Sequence, residues 1–211
     1  MNIMKKTGVF FVAMLLLASA CQREKLPKGA DSTFVSALNS AHEDNLDSIF
    51  RVAFYLYEGI HVDKDVKEAV SWIGRAAEMG DDDAMEMLGL VYKTGTGVEQ
   101  DLLKAKEWFE KAIETNPENY KAYVGLADIY AVNEGNFEKA HQLADKALEI
   151  APKDLRTLSE KGKLYILQNK REECLPYLRA CDSIKPHYIM SDASFAVAVR
   201  AYADSIKRTV K

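Results

Sequence analysis

Cys21 is the residue whose type and position most directly suggest chemistry. It follows Ala18, Ser19 and Ala20 at the end of the apolar run Val9–Leu17, and Lys5 and Lys6 precede that run. A charged start, an apolar stretch and small residues make a secretion signal. The apolar run is nine residues long, against the ~20 a spanning helix needs. A thiol at that junction can carry a diacylglyceryl group; the plainer reading is a secretory signal with an incidental cysteine.

Other reactive groups are scattered. His42, His61, His141 and His187 lie on separate segments. Glu138-x-x-His141 has the spacing of carboxylate-bridged di-iron bundles, but such a site needs a second copy and two further glutamates. The other match, Glu58-x-x-His61, straddles Gly59, where a helix should end. Solvated helix faces account for both, and no metal is expected. Gly95-x-Gly97 lacks the glycine, lysine and serine of a phosphate-cradling loop. It reads as a turn with positive φ, as do Gly59 and His61 in the preceding segment.

Cys174 and Cys181 stand seven residues apart, which on one helix separates their Cα atoms by roughly 10 Å, beyond disulfide reach. Both take places of small packing residues, so buried thiols are expected. Pro176 between them is tolerated if its helix starts near Glu172 or Glu173, placing the proline in the first turn. Three cysteines in all make neither a disulfide scaffold nor a four-cysteine zinc site.

The whole chain has 211 residues, 48% hydrophobic and 28% charged, an ordinary globular mix. Its formal net charge is −4, without the basic excess that nucleic-acid binding exploits. Removing residues 1–20 takes away Lys5 and Lys6 and no acid, which leaves 26 basic against 32 acidic groups, a net of −6. Residues 21–30 are polar and include Pro27 and Gly29, as a short tether would.

The elements that must position these residues emerge from self-similarity. Trp72 and Trp108 are 36 apart, and the same shift superposes Gly59 on Gly95, Asp65 on Asp101 and Ala76 on Ala112. Pro117, Pro152 and Pro186 recur at spacings of 35 and 34, each after an amphipathic stretch that a proline would end. Between these marks each segment reads as two helices and a tight turn. Ala127, Ala140, Ala147 and Gly162 mark close helix approaches, with Tyr130, Phe137 and Tyr165 filling the space beside them. The fold class predicted is all-α: a right-handed helical-repeat solenoid of about four helix–turn–helix units with a C-terminal capping helix.

Several positions match known families in register. LLLASAC, residues 15–21, resembles the lipobox of bacterial lipoproteins, with Ala18 where leucine is usual. The resemblance implies that Cys21 is the acylated amino terminus. Residues 48–117 resemble two Sel1-like repeats: LGLVYKTGTGVEQDLLKAKEWFEKA, residues 88–112, follows the pattern, while the first copy has Ala53 and His61 in place of glycines. Residues 118–186 resemble two tetratricopeptide repeats, the third unit carrying one extra residue near Asn133 and Ala144 at its bulky position. The organisation expected is a signal peptide over 1–20, a tether over 21–30, an initial helix over 31–47 capped by Asp31 or Ser32, the two repeat pairs, and a helix over 187–211. That last helix, with Phe195, Val199, Tyr202 and Ile206 on one face, reads as a cap or as a docking element.

The resemblance implies a non-enzymatic adaptor, without cofactor, that binds a protein or peptide of the envelope on its concave face. The candidate residues are Lys121, Val124 and Asp128, then Arg156, Ser159 and Lys163, each trio at i, i+3, i+7 on one helix face. Asp128 and Ser159 depart from the Lys/Asn cluster with which some tetratricopeptide proteins clamp a carboxylate terminus. Gln22, where inner-membrane lipoproteins carry aspartate, implies the outer membrane, facing the periplasm. Two alternatives stand beside the adaptor. One is a glycan-binding lipoprotein using Tyr55, Tyr57 or Trp72. The other is a Sel1-like hydrolase of penicillin-like compounds, a group that uses paired cysteines in each repeat, which this chain lacks.

Overall fold

In the computed structural model of the protein, residues 26–184 are described. They form nine helices: α1 (Ser32–His42), α2 (Leu46–Glu58), α3 (Val66–Glu78), α4 (Asp82–Thr94), α5 (Leu102–Thr115), α6 (Tyr120–Val132), α7 (Phe137–Ile150), α8 (Leu155–Leu167) and α9 (Arg171–Ser183). The described fold is all-α, a succession of helix–turn–helix units α2–α3, α4–α5, α6–α7 and α8–α9 with α1 before them. The acylation candidate Cys21 and the expected C-terminal helix over 187–211 lie outside the described residues. The chain divides into two compact units, residues 1–69 and 70–211.

Short polar side chains start most of the helices by satisfying orphan N–H groups. Asp31 Oδ1 accepts from the backbone of Thr33 and Phe34 at 2.8 and 3.0 Å. Asp81, Asp101, Asn119, Asn136 and Asp154 cap α4 to α8 in the same way. Gly59 and Gly95 close α2 and α4 with φ of 76° and 72°. His61 takes the same left-handed region at φ 64°, matching Gly97 at 75°.

In the first unit, the final residues of the expected tether are held down. Lys28 O accepts from Asp63 N at 2.8 Å, and Asp31 N donates to His61 O at 2.9 Å. His61 Nδ1 also meets Asp31 Oδ2 at 2.7 Å. The composition of residues 21–30 suggested a linker throughout; backbone pairing with the α2–α3 loop fixes its end instead.

In the second unit the core is built from small residues and a few large ones. Ala127, Ala131, Ala140, Ala144 and Leu164 are buried together, with Tyr130, Phe137 and Leu143 packed against them. Phe109, 1% exposed, lies against Gly89 and Gly125, so α5 approaches α4 and α6 closely. One helix pair has too little apolar surface to stand alone, and stacking against the next supplies the rest.

One expectation is corrected. α9 begins at Arg171, so Pro176 stands beyond its first turn and inside the helix. The Glu172 carbonyl thus lacks the N–H that any other residue at 176 would offer. Lys170, at the N-cap, makes no side-chain capping bond, which removes the local signal that marks the other starts.

Candidate binding face

The first helices of the second unit, α4, α6 and α8, share a register. Their second residues are Asp83, Lys121 and Arg156; their fifth are Glu86, Val124 and Ser159; their ninth are Leu90, Asp128 and Lys163. Side chains from these positions link the three helices. Lys121 Nζ donates to Asp83 Oδ1 at 2.9 Å, and Arg156 donates to Glu86 Oε1 at 3.2 Å. The Asp128 carboxylate receives Lys93 at 2.5 Å and also Lys163, whose ammonium lies 3.3 Å from Glu160 Oε2. Arg156 therefore reaches past α6 to α4. First helices that converge in this way make the concave side of a helix-pair stack.

All six candidate residues lie on α6 and α8, and their environments differ. Lys121, Asp128, Arg156 and Lys163 are engaged in ion pairs within the chain. Ser159 Oγ donates to its own helix at Arg156 O, 3.0 Å away. Val124 is only 8% exposed and belongs to the packing rather than to the open surface. The residues that sequence reasoning missed are their partners Asp83, Glu86 and Lys93, and the apolar Leu90, 42% exposed at the register of Asp128. Leu90 lies 38 residues before Asp128, outside the spacings of 34 to 36 read from the sequence.

Burial pushes the Glu86 carboxyl up from its ordinary value, opposed by the cations Arg156 and Lys121. For Lys121, burial works toward loss of the proton, but the bond to Asp83 and the field of Glu86 overcome it and the net shift is upward. The face is thus a set of fixed charges around an exposed leucine.

The other groups weighed for chemistry are placed apart. His141 Nε2 meets the Gln168 amide at 2.8 Å and its ring packs 4.8 Å from Tyr165. Burial and nearby Lys161 lower its pKa. Among the described residues no three His, Cys, Asp or Glu side chains are grouped to hold a metal ion. Cys174 is buried, which pushes its thiol up and makes it a poor nucleophile. Cys181 is half-buried. Of the aromatic candidates, Tyr57 is exposed with Lys64 5.1 Å over its ring; Tyr55 and Trp72 are half-buried, against His61 and Arg75 respectively.

Among the described residues no helix is long and apolar enough to cross a membrane. The Sel1 repeat family model matches residues 46–81 and 82–115, and tetratricopeptide repeat models match 108–142 and 155–188. Together these matches cover more than half of the chain. A curated relative, chitin synthase regulatory factor 3 of Schizosaccharomyces pombe, is 31% identical over 146 residues, 64% of this chain and 16% of its own length. This chain therefore spans about a sixth of that relative. Among solved structures, a Sel1 repeat protein from Oxalobacter formigenes superposes with a TM-score of 0.59 at 22% identity, covering 82% of this chain and 78% of the other. The protective antigen c5321 of uropathogenic Escherichia coli, which displays an SLR fold, gives 0.60 at 24% identity, over 71% and 33%. At such identities these structures speak for the fold alone.

Proposed function

Because this chain belongs to the Sel1-like and tetratricopeptide repeat proteins, whose stacked helix pairs are a non-catalytic protein-interaction module, we propose that it is a lipid-anchored adaptor of the bacterial envelope. In this reading Cys21 carries the lipid, residues 22–27 lead to the folded body, and the α4–α6–α8 face holds a protein or peptide partner. Outer-membrane attachment facing the periplasm follows from Gln22. The chemistry supporting the anchor is that a lipid contributes about 0.8 kcal/mol per buried methylene.

The observation that carries the partner-binding reading is Leu90, an exposed apolar side chain on a face whose surrounding charges are locked by ion pairs. An apolar anchor ringed by preorganised polar groups is how a few residues supply most of a binding energy. Reversing Lys121 and Arg156 would break the pairs to Asp83 and Glu86, so it confounds binding with stability. Leu90→Glu removes the apolar group without deleting a member of any of these ion pairs. The test is a crosslinking pull-down from native membranes with wild type, Leu90→Glu and Cys21→Ala. A partner held by wild type and lost in Leu90→Glu, at unchanged helicity, supports this face. Release of Cys21→Ala into the soluble fraction supports the anchor. Equal capture by Leu90→Glu overturns the face, and membrane retention of Cys21→Ala overturns the lipid.

A further inference from the structure

The first unit carries exposed apolar side chains at the α2–α3 turn. Tyr57 stands in the last turn of α2, Ile60 follows the Gly59 cap, and Leu26 precedes the pinned end of the tether; the three are 42 to 52% exposed. The pin holds Leu26 to this loop. Lys28 O, two residues on, accepts from Asp63 N, and Asp31 N donates to His61 O beside Ile60. Gly29, at φ 79°, lies so near the loop that a Cβ on it would come 2.9 Å from the Asp63 backbone nitrogen.

The turn itself does not call for apolar groups. The 36-residue shift that places Gly59 on Gly95 places Tyr57 on Lys93 and Ile60 on Thr96. Both loops have the same backbone, with glycine caps at φ 76° and 72° and left-handed residues at His61 and Gly97. The second loop nevertheless carries an ammonium and a hydroxyl, the latter 2.7 Å from Thr94 Oγ1. Tyr57 and Ile60 are therefore additions to the repeat rather than requirements of it.

Most charges around them are engaged locally. Lys64 Nζ lies 5.1 Å from the Tyr57 ring centroid, Lys28 is 3.6 Å from Asp63, and Asp31 meets His61. Asp65 Oδ1 accepts from Glu68 N at 3.0 Å. With Glu58, Asp63 and Asp65 against Lys64, the loop has no attraction for an acidic surface. Its mixture of tyrosine, branched aliphatic groups and lysine is that of residues at a membrane–water interface, where lysine stems lie along apolar surface and keep their charge in water.

The chain ahead of Leu26 says which surface is in reach. Cys21 is five residues earlier, and five residues span at most ~18 Å however they run. An acylated Cys21 sits among the headgroups, so Leu26 is held within that distance of them. Resting on the reading of Cys21 as the lipid anchor, we propose that the α2–α3 turn seats on the bilayer that holds the anchor. Leu26, Tyr57 and Ile60 enter the headgroup zone, with Lys28 and Lys64 beside them. Three side chains make a weak contact alone, but a short tether makes it intramolecular, at high effective concentration. The pin at Lys28–Asp63 and Asp31–His61 then sets the orientation of the first unit.

The test labels native side chains with hydroxyl radicals in the full acylated chain on phosphatidylcholine vesicles. The Cys21→Ala chain free in buffer is the reference, and His42, exposed at the other end of α2, is the internal control. The expected result is labelling of Leu26, Tyr57 and Ile60 slowed several-fold on vesicles, with His42 unchanged and no dependence on protein density. Vesicle-bound protein whose Tyr57 and Ile60 label as fast as the reference overturns the seat and leaves the anchor standing. Protection that rises with protein density makes the cover a second copy of the chain and also overturns the seat. An acylated chain that does not sediment with the vesicles overturns the anchor itself, and the seat with it.

Discussion

Phe109 shows how one side chain assigns opposite roles to glycines of the same chain. Its ring lies where a Cβ on Gly89 or Gly125 would have to go, whereas Gly74 faces open space. Helix propensity alone favours alanine over glycine by about 1 kcal/mol, and at Gly74 nothing opposes it. Gly74→Ala is therefore expected to raise the urea midpoint by the equivalent of ~0.5–1 kcal/mol. Gly125→Ala drives a methyl into a ring that has no room to retreat, and overpacking costs about 1–3 kcal/mol, so the sign reverses. The urea midpoints of the two variants check both directions. Glu86 carries a second residue-level prediction. Its native pKa is raised, chiefly by burial, so above the ordinary carboxylate value the native state binds more protons than the unfolded chain. Its contribution to stability is full at low pH and is lost as pH rises through that window. Glu86→Gln removes the dependence: the variant should match wild type near pH 4 and exceed it at pH 7, by less than about 1 kcal/mol because Arg156 loses its partner. A urea series across pH 4–8 measures the difference, and a wild-type advantage that grows with pH would refute the assignment.

At the scale of elements, the helices were legible wherever a local rule marks them. Asp81, Asp101, Asn119, Asn136 and Asp154 cap their helices, and Gly59, His61, Gly95 and Gly97 take the left-handed turns that a 36-residue register predicts. α9 was misread at its start because Lys170 gives no capping bond and the acidic pair Glu172-Glu173 looks like a first turn. Pro176 consequently sits inside the helix with the Glu172 carbonyl left without its donor. Proline in a helix interior costs about 3 kcal/mol relative to alanine, an amount partly relieved near the N-terminus of an element. Pro176→Ala should stabilise the protein by about 1–2 kcal/mol and slow amide exchange across α9. Unchanged exchange there would mean that the element has already adjusted around the proline.

At the scale of the whole molecule, the repeat register announces the stack but conceals what ties its members together. Lys121, Asp128, Arg156 and Lys163 were read from the spacing of one helix face as a surface open to partners; their own partners lie one or two repeats away. Arg156 meets Glu86 across 70 residues and Lys93 meets Asp128 across 35, two periods and one of the 35-residue spacing, but a repeat register aligns equivalent positions without saying which side chains reach across to one another. A repeat stack approximates a chain of nearest-neighbour contacts; an ion-pair ladder that spans α4, α6 and α8 adds coupling beyond the nearest neighbour. Asp128 is its hub, joining Lys93 to Lys163 with all three side chains under a quarter exposed. Removing the carboxylate leaves two half-buried ammonium groups facing one another, a change larger than the loss of an exposed pair, which is worth ~0–1 kcal/mol. Asp128→Ala should cost about 2 kcal/mol and, by loosening α4 from α8, lower the urea m-value as the transition broadens. Asp128→Ala combined with Lys163→Met should recover part of that loss, because the second substitution removes one of the two like charges. Strict additivity of the two would show that the ladder lies on the stack without coupling it.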